Sequence, residues 1–483
     1  MNKYKELLAN TFYFLLNAFA TKFISFVLVP LYTASMSAAD YGLTDMSQTV
    51  ISLLTPLATL NISEAVLRFI VEDRDSKEKY ICLSLSITAL SVVLVALLKP
   101  IFSLNAFGGL GLYHTWFVLA YAVNAIFLLC GNIARAAGEI RLIPICAAAS
   151  SFVTLFASLV FVLLGHFGIV EYYATIILGP SVGVVLYFTF GRQLIMALKG
   201  ASEISRIGCS ELRALLRCLF RYALPLIPNS LFWWMGTSIN RLFITGQIGI
   251  AASGLFSAAG KIPSLINTAY SIFQQAWQLS AYKENGHSKT SSFYSEVFRV
   301  VQAGLTLLCG VISLLSPWLA SILLKGETLS SWPMIPMLLL ANAMSMLSMF
   351  FGTIYTSTMN TGYIMRSTLY GAASCVLFTP LFIGQFGLYG ACFASMVSQC
   401  LVLILRGIDS KKYLSFDAGW RRLAPSLAIL LFQSLVIAIR PAGWSGISIL
   451  CLLGVVIIQM PTLIYILKKF GGVAKMRLEM RRK

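Results

Sequence analysis

Residues 222–282 read YALPLIPNSLFWWMGTSINRLFITGQIGIAASGLFSAAGKIPSLINTAYSIFQQAWQLSAY. The segment predicts two membrane helices, roughly 222–245 and 253–281, joined by a short outer turn at 246–252. In the second, Ser257, Lys261, Ser264, Thr268, Ser271, Gln275 and Gln278 recur in alternating steps of four and three, so all seven lie along one helical face. The positions between them are mostly Leu, Ile, Phe, Ala and Trp. The first helix places Asn229, Trp233, Thr237 and the pair Asn240/Arg241 in a similar stripe. An unsatisfied polar group in hydrocarbon costs several kcal/mol. The stripes therefore face protein or a water-filled cavity. Small hydroxyls also pack membrane helices against one another. Charges within a span are a different matter, because they usually mark a substrate or ion path.

Working outward, the whole chain has the same character. Of 483 residues, 58% are hydrophobic and 11% charged, and the mean hydropathy is +0.82. Soluble domains carry about 25% charged residues, so this is an integral membrane protein. The helical period of its polar residues excludes a β-barrel. Apolar segments fall near 10–32, 41–62, 80–99, 113–131, 142–164, 168–190, 222–245, 253–281, 294–324, 333–358, 367–384, 387–405, 423–439 and 446–467. The fold class expected is all-α and polytopic, with about 14 transmembrane helices.

The net charge of +18 sits where topology would put it. With the N-terminus inside, 30 of the 36 Lys and Arg fall on inner tails and loops, and only Lys99, Lys325 and Arg440 fall outside. Lys22, Arg241 and Lys261 lie within spans. The positive-inside rule thus places both termini in the cytoplasm of a multi-pass protein. The basic excess needs no nucleic acid to explain it; affinity for anionic membrane lipids follows from it. The first span is of full length and lacks a small-residue cleavage site, so it reads as a retained signal anchor. Ten scattered cysteines without a CxxC read as small apolar residues, with no disulfide and no metal site.

The span at 41–62 repeats the stripe, with Asp45, Gln48, Ser52, Thr55 and Thr59 in steps of three and four. Its start, Ala38-Ala39-Asp40-Tyr41-Gly42-Leu43, echoes Ala251-Ala252-Ser253-Gly254-Leu255 about 213 residues on. Phe167-Gly168-Ile169 echoes Phe386-Gly387-Leu388 at an offset of about 219. Two echoes of similar offset divide the chain into a six-helix bundle at 1–190, a cytoplasmic amphipathic linker at 191–221, a second six-helix bundle at 222–408, and two extra helices with a basic tail at 409–483. Parallel repeats of this kind in transporters hold a central site between the halves, near the midplane. The charged connector 63–80 reads as solvated. In the linker, Leu212, Leu215, Leu216, Leu219 and Phe220 oppose Arg213, Arg217 and Arg221, a pattern that suits the inner membrane surface.

No phosphate-binding Gly-Lys-Ser/Thr loop, HExxH or carboxylate cluster is present. The sequence gives no ground for an enzyme or a cofactor, so any transport would use a gradient, downhill flow of substrate or a partner. Lys22, Arg241 and Lys261 are the candidate substrate-binding cations, taken as unpaired. Asn17, Gln48, Asn229, Trp233, Asn240, Thr268, Gln275 and Gln278 are the candidate polar lining, and Trp277 offers a further aromatic face. Asp45, the clear intramembrane acid, is the candidate coupling or gating residue, expected to pair with Lys22 or Lys261.

Several stretches resemble one known family. They are Ala223-Leu224-Pro225-Leu226-Ile227-Pro228-Asn229-Ser230, Trp233-Trp234, Asn240-Arg241, Lys261-Ile262-Pro263 and Gln275-Ala276-Trp277-Gln278, together with Asp40-Tyr41-Gly42 and Ala65-Val66-Leu67-Arg68-Phe69. The chain resembles the Wzx-type polysaccharide flippases of the multidrug/oligosaccharidyl-lipid/polysaccharide exporter superfamily, a MATE-like architecture. Many relatives carry Asp before this Arg, where Asn240 stands here. The resemblance implies a flippase of O-antigen, capsule or exopolysaccharide repeat units. It would move an undecaprenyl-diphosphate-linked oligosaccharide from the inner to the outer leaflet of the bacterial cytoplasmic membrane by alternating access. Its partners would be that lipid-linked substrate, a proton or sodium ion, membrane lipids and a polysaccharide polymerase complex. A cation-coupled drug or small-molecule exporter of the same superfamily and a non-transporting envelope scaffold are the rival readings.

The topology is checked by cysteine labelling: Ser76→Cys and Ser288→Cys should react only from the cytoplasmic side, and reaction of Ser288→Cys from outside would overturn the scheme.

Overall fold

A computed structural model describes residues 24–482 apart from 74, 166, 285–289 and 359–361. Asn17 and Lys22 lie outside it, as does the side chain of Gln275. The described residues contain helices and no strand. In chain order they are α1 (Ile24–Ser35), α2 (Ala38–Ala58), α3 (Ile62–Glu72), α4 (Lys77–Leu97), α5 (Lys99–Phe102), α6 (His114–Ala136), α7 (Leu142–Leu163), α8 (Ile169–Thr189), α9 (Gln193–Ile204), α10 (Cys209–Ala223), α11 (Ile227–Gln247), α12 (Ile250–Glu284), α13 (Thr290–Leu323), α14 (Ile335–Ser357), α15 (Gly362–Asp409), α16 (Trp420–Ile439) and α17 (Trp444–Arg482).

Nine of the described helical stretches are long and apolar enough to cross a membrane, and ten if the bent pair α2 and α3 is counted as one span. α11 and α12 are not among them, because their polar stripes lower their mean hydropathy. Helix α15 holds two of the expected spans. Gly387, at φ 57° and ψ −135°, breaks it where they meet, a backbone conformation open essentially to glycine.

Two connectors differ from the sequence expectation. The charged stretch after α2 is not merely a solvated loop. Leu60 and Asn61 both take left-handed φ of 54°, which turns the chain, and α3 follows at 49° to α2. Ile62, Ala65, Val66 and Ile70 are buried in α3, a spacing of one helical face that the density of charges conceals. The second connector is α10. Its leucines pack into the same apolar cluster as α3 and α4, and Lys79 Nζ donates to Glu211 Oε1 at 3.0 Å. The helix docks on protein through Leu219, with Leu212, Leu215 and Leu216 partly buried against the same cluster, and leaves Arg213, Arg217 and Arg221 exposed.

The chain forms two compact units, 1–257 with 324–328, and 258–323 with 329–483. The core of the first is built on Met46, Val50, Phe117, Tyr121 and Tyr173. Two pairs of its buried hydroxyls meet: Ser47 Oγ with Tyr173 Oη at 2.6 Å and Ser91 Oγ with Tyr121 Oη at 2.9 Å. The core of the second is aromatic, with α14 almost wholly buried. Trp277 stacks on Phe350 at 4.5 Å between centroids and meets Tyr294 edge-on at 4.9 Å. At 3% exposure, Trp277 has no face left for a sugar, contrary to the sequence expectation.

Within the first unit the echoed sequences meet. A Cβ on Gly42 would run into the carbonyl oxygen of Ile250, and one on Gly254 into that of Ala38. Each glycine stands four residues after the carbonyl that its counterpart approaches. The contact is therefore reciprocal, the pattern of a local two-fold. The backbones of α2 and α12 touch because neither carries a side chain there.

Gly254→Ala must separate these two backbones. It should lower the thermal midpoint of the purified protein by the equivalent of at least the ~1–3 kcal/mol typical of overpacking. Gly260→Ala, with nothing within 4 Å of the added carbon, should leave the midpoint unchanged or raise it.

Candidate functional site

Helices α2 and α11 run antiparallel in the first unit and are tied by polar contacts at three levels. Near the α3 turn, Asn61 Nδ2 donates to Ser230 Oγ at 3.2 Å. In the middle, Trp234 Nε1 donates to Thr49 O and to Ser52 Oγ, both at 3.1 Å. Toward the other end, Arg241 Nε donates to Asp45 Oδ2 at 2.6 Å. Ser257 of α12 completes this last cluster: its hydroxyl donates to the same carboxylate oxygen and accepts from Arg241 Nε at 3.2 Å. Asp45 is 11% and Arg241 23% exposed.

This geometry corrects one expectation and adds to another. Arg241 is not an unpaired cation, and Asp45 takes Arg241 as a partner, a residue left out of its expected pairs. The reason lies in register. The step from Trp234 to Arg241 is seven residues, two helical turns, so both residues face α2. The step from Asp45 to Ser52 is likewise seven. The stripe through Asn229, Trp233 and Thr237 is one residue out of phase with this contact face. Those three residues are exposed instead, Trp233 to 65%.

The other candidate positions divide by exposure. Gln48 is exposed and donates through Nε2 to Tyr172 Oη at 3.2 Å. Asn240 is buried at 5% and is not part of the exposed face. In the second unit, Lys261, Thr268 and Gln278 are half-buried, and Ser264, Asn267 and Ser271 of the same helix are exposed. Asn267 Nδ2 donates to Asn342 Oδ1 at 2.6 Å.

The hydroxyls of the stripes are mostly satisfied within their own helices. Ser264 Oγ donates to Lys261 O at 2.7 Å, Thr268 Oγ1 to Ser264 O at 3.0 Å and Ser271 Oγ to Thr268 O at 2.7 Å. In α2, Thr55 Oγ1 and Thr59 Oγ1 donate to Ile51 O and Thr55 O at 2.7 and 2.6 Å. A hydroxyl bonded back in this way suits either lipid or water. The amides and charges that remain are Gln48, Asn229, Asp45 and Arg241 in the first unit and Asn267 and Lys261 in the second.

One buried cation escapes the sequence reading. Arg406, 7% exposed, counts by position with the inner-loop charges. It lies inside α15 and donates to Ser367 Oγ at 2.9 Å, Thr368 Oγ1 at 3.0 Å and Ser348 O at 3.3 Å. The signal for burial is the run Leu401-Val402-Leu403-Ile404-Leu405 leading directly into it. Among the described residues no group of three or more His, Cys, Asp or Glu could hold a metal ion.

Breaking a buried pair costs roughly 3–5 kcal/mol because one charge is stranded. Arg241→Gln strands Asp45 and should destabilise the purified protein toward the low end of that range, since Arg241 keeps 23% exposure. Adding Asp45→Asn should restore most of the lost thermal midpoint; a double variant as unstable as the single would show that the two residues do not act as a pair.

Comparison with known proteins gives the family from the sequence and the fold from solved structures. The sequence family described as polysaccharide biosynthesis protein matches residues 7–278. No curated protein sequence matches the chain. Among solved structures, the lipid II flippase MurJ in an inward closed conformation superposes with a TM-score of 0.68 at 10% identity, covering 96% of this chain and 99% of that one. An inward-facing multidrug resistance MATE family transporter of the MOP superfamily gives 0.64 at 15% identity, over 83% of this chain and 94% of its own. A mutant form of the Vibrio cholerae MATE transporter VcmN gives 0.57 at 15% identity, over 84% and 96%.

Proposed function

The chain belongs to the polysaccharide biosynthesis protein family, and from that premise we propose that it is a flippase. It moves an undecaprenyl-diphosphate-linked oligosaccharide from the inner to the outer leaflet of a bacterial cytoplasmic membrane. The observation that carries the reading is the open polar face of α2 and α11. Gln48, Ser52, Asn229 and Thr237 are exposed there, with Arg241 part-exposed beyond them. In hydrocarbon this face would be costly, so it borders water and sugar.

In this reading Arg241 exchanges partners. A guanidinium grips a carboxylate and a phosphate with the same fork of N–H donors. Held by Asp45, it is quiescent; as the diphosphate arrives, it turns to the stronger anion. Protonation of Asp45 removes the competing charge and would link the exchange to a proton gradient, although a sodium ion at the same carboxylate would serve equally. Lys22 and Lys261 are the further cations that draw the headgroup inward, and the exposed amides hold the sugar. Proline-containing helices such as α12, with Pro263, supply the bends for alternating access. The MurJ and MATE superpositions support the architecture this cycle needs. A drug exporter would present an accessible carboxylate; Asp45 is 11% exposed and already paired with Arg241.

The test is direct. Deleting the protein should leave lipid-linked oligosaccharide in the inner leaflet, read by its accessibility to a sugar-specific probe from each side of oriented vesicles. The charge-neutral pair Asp45→Asn/Arg241→Gln should fold and insert yet lose at least tenfold in flipping rate. Asp45→Asn alone should flatten the pH dependence of transport. Normal flipping by the neutral pair at matched protein level would remove Arg241 from the path.

A further inference from the structure

The second unit contains a polar cavity that the proposed transport cycle does not use. Its volume is about 450 Å³, and its walls come from α13, α16 and α17, with Ser295, Glu296, Arg299, Arg422, Thr462 and Tyr465 among the lining residues. That volume lies within the range of roughly 300–1,000 Å³ usual for small-molecule sites. We propose that this cavity binds the phosphate-ester group of a membrane phospholipid, as a site separate from the path of the transported substrate.

Two guanidiniums define the chemistry. Arg299 pairs with Asp417 through Nη2. The backbone N–H of Gly419 and Arg299 itself hold the Asp417 carboxyl below its ordinary range, so it is ionised at neutral pH and fixes the Arg299 plane. Arg422 donates through Nη1 to Thr462 Oγ1 at 3.1 Å, and that partner is a neutral hydroxyl. Each guanidinium has five N–H donors, so most of those on Arg422 remain for a ligand. Glu296, the acid on the wall, favours a singly charged phosphodiester over a bare multivalent anion.

The position of the cavity identifies the source of that phosphate. It lies at the N-terminal ends of α13 and α16 and near the middle of α17, where the apolar span 446–467 ends on the side that the charge distribution assigns to the cytoplasm. From there, α17 carries Ile464, Met460 and Ile457 in steps of four and three back toward the middle of the span. They are 43%, 52% and 69% exposed. A headgroup phosphate on Arg422 would lay its acyl chains along this apolar ridge. A free phosphate ester would use the arginines and leave the ridge idle.

The experiment uses the full chain in a neutral detergent, with short-chain phosphatidylglycerol and inorganic phosphate as separate probes. Phosphatidylglycerol should raise the thermal midpoint saturably. Arg422→Gln should need at least ten times more lipid for the same shift, and Arg422→Lys should fall between the two. Inorganic phosphate alone should have little effect. A saturable shift with inorganic phosphate, also lost in Arg422→Gln, would keep the phosphate site but overturn the lipid as its source. No shift with either probe, or an equal phosphatidylglycerol response in wild type and Arg422→Gln, would overturn the site altogether.

Discussion

A carboxylate placed among apolar helices must be neutralised, and Asp45 is neutralised by Arg241. Much of the first unit follows from this pair. To bring a residue two turns beyond Trp234 opposite Asp45, α11 must lie antiparallel to α2 in a single register. That register also sets Trp234 against Thr49 and Ser52, and Ser230 against Asn61. The hydroxyl of Ser257 brings the start of α12 to the same point. Helices of this kind gain little from hydrophobic contact alone, since lipid is as apolar as they are. Polar contacts of fixed geometry can select one alignment where apolar packing would accept several.

The sequence and the structure agree most closely where the signal is periodic and long. All-α architecture, the broken pair of helices around Gly387 and the segments of the apolar spans are legible from composition and period. The disagreements have separate physical causes. In α3, charges on one face obscure a buried face of Ile62, Ala65, Val66 and Ile70. In α11, adjacent tryptophans leave the phase ambiguous by one residue, and only the partner helix decides which one is buried. Trp277 looks available because a tryptophan beside glutamines suits a sugar, yet the aromatic core of α14 claims it. Arg406 reads as a loop charge unless one knows that Ser367 and Thr368 stand ready to receive it. The last three turn on a partner distant in the chain, and a single sequence carries no record of distant partners.

The site also separates two kinds of polarity that a sequence presents as one. Serine and threonine in the stripes are largely self-contained, each hydroxyl returning to a carbonyl one turn back. They cost little in any surroundings and say little about them. Glutamine and asparagine cannot close on themselves so completely, and arginine cannot at all. A polar stripe in a membrane helix is thus better weighed by its amides and charges than by its length.

The glycine contact between α2 and α12 has a mechanical consequence. Interlocked side chains resist both sliding and turning, because ridges must climb out of grooves. Gly42 and Gly254 offer no ridges, only two backbones pressed together at equivalent points. Such a joint lets the two helices approach more closely than side chains would allow, and the hydrogen bond of Ser257 to Asp45, three residues beyond the glycines on both helices, fixes how they are turned. Its reciprocity adds that the two glycine–carbonyl approaches share the load of the contact equally. The two echoed starts, each an Ala-Ala pair followed closely by Gly-Leu, thereby seat two long helices on each other by backbone alone, a joint that one added methyl group would wedge open.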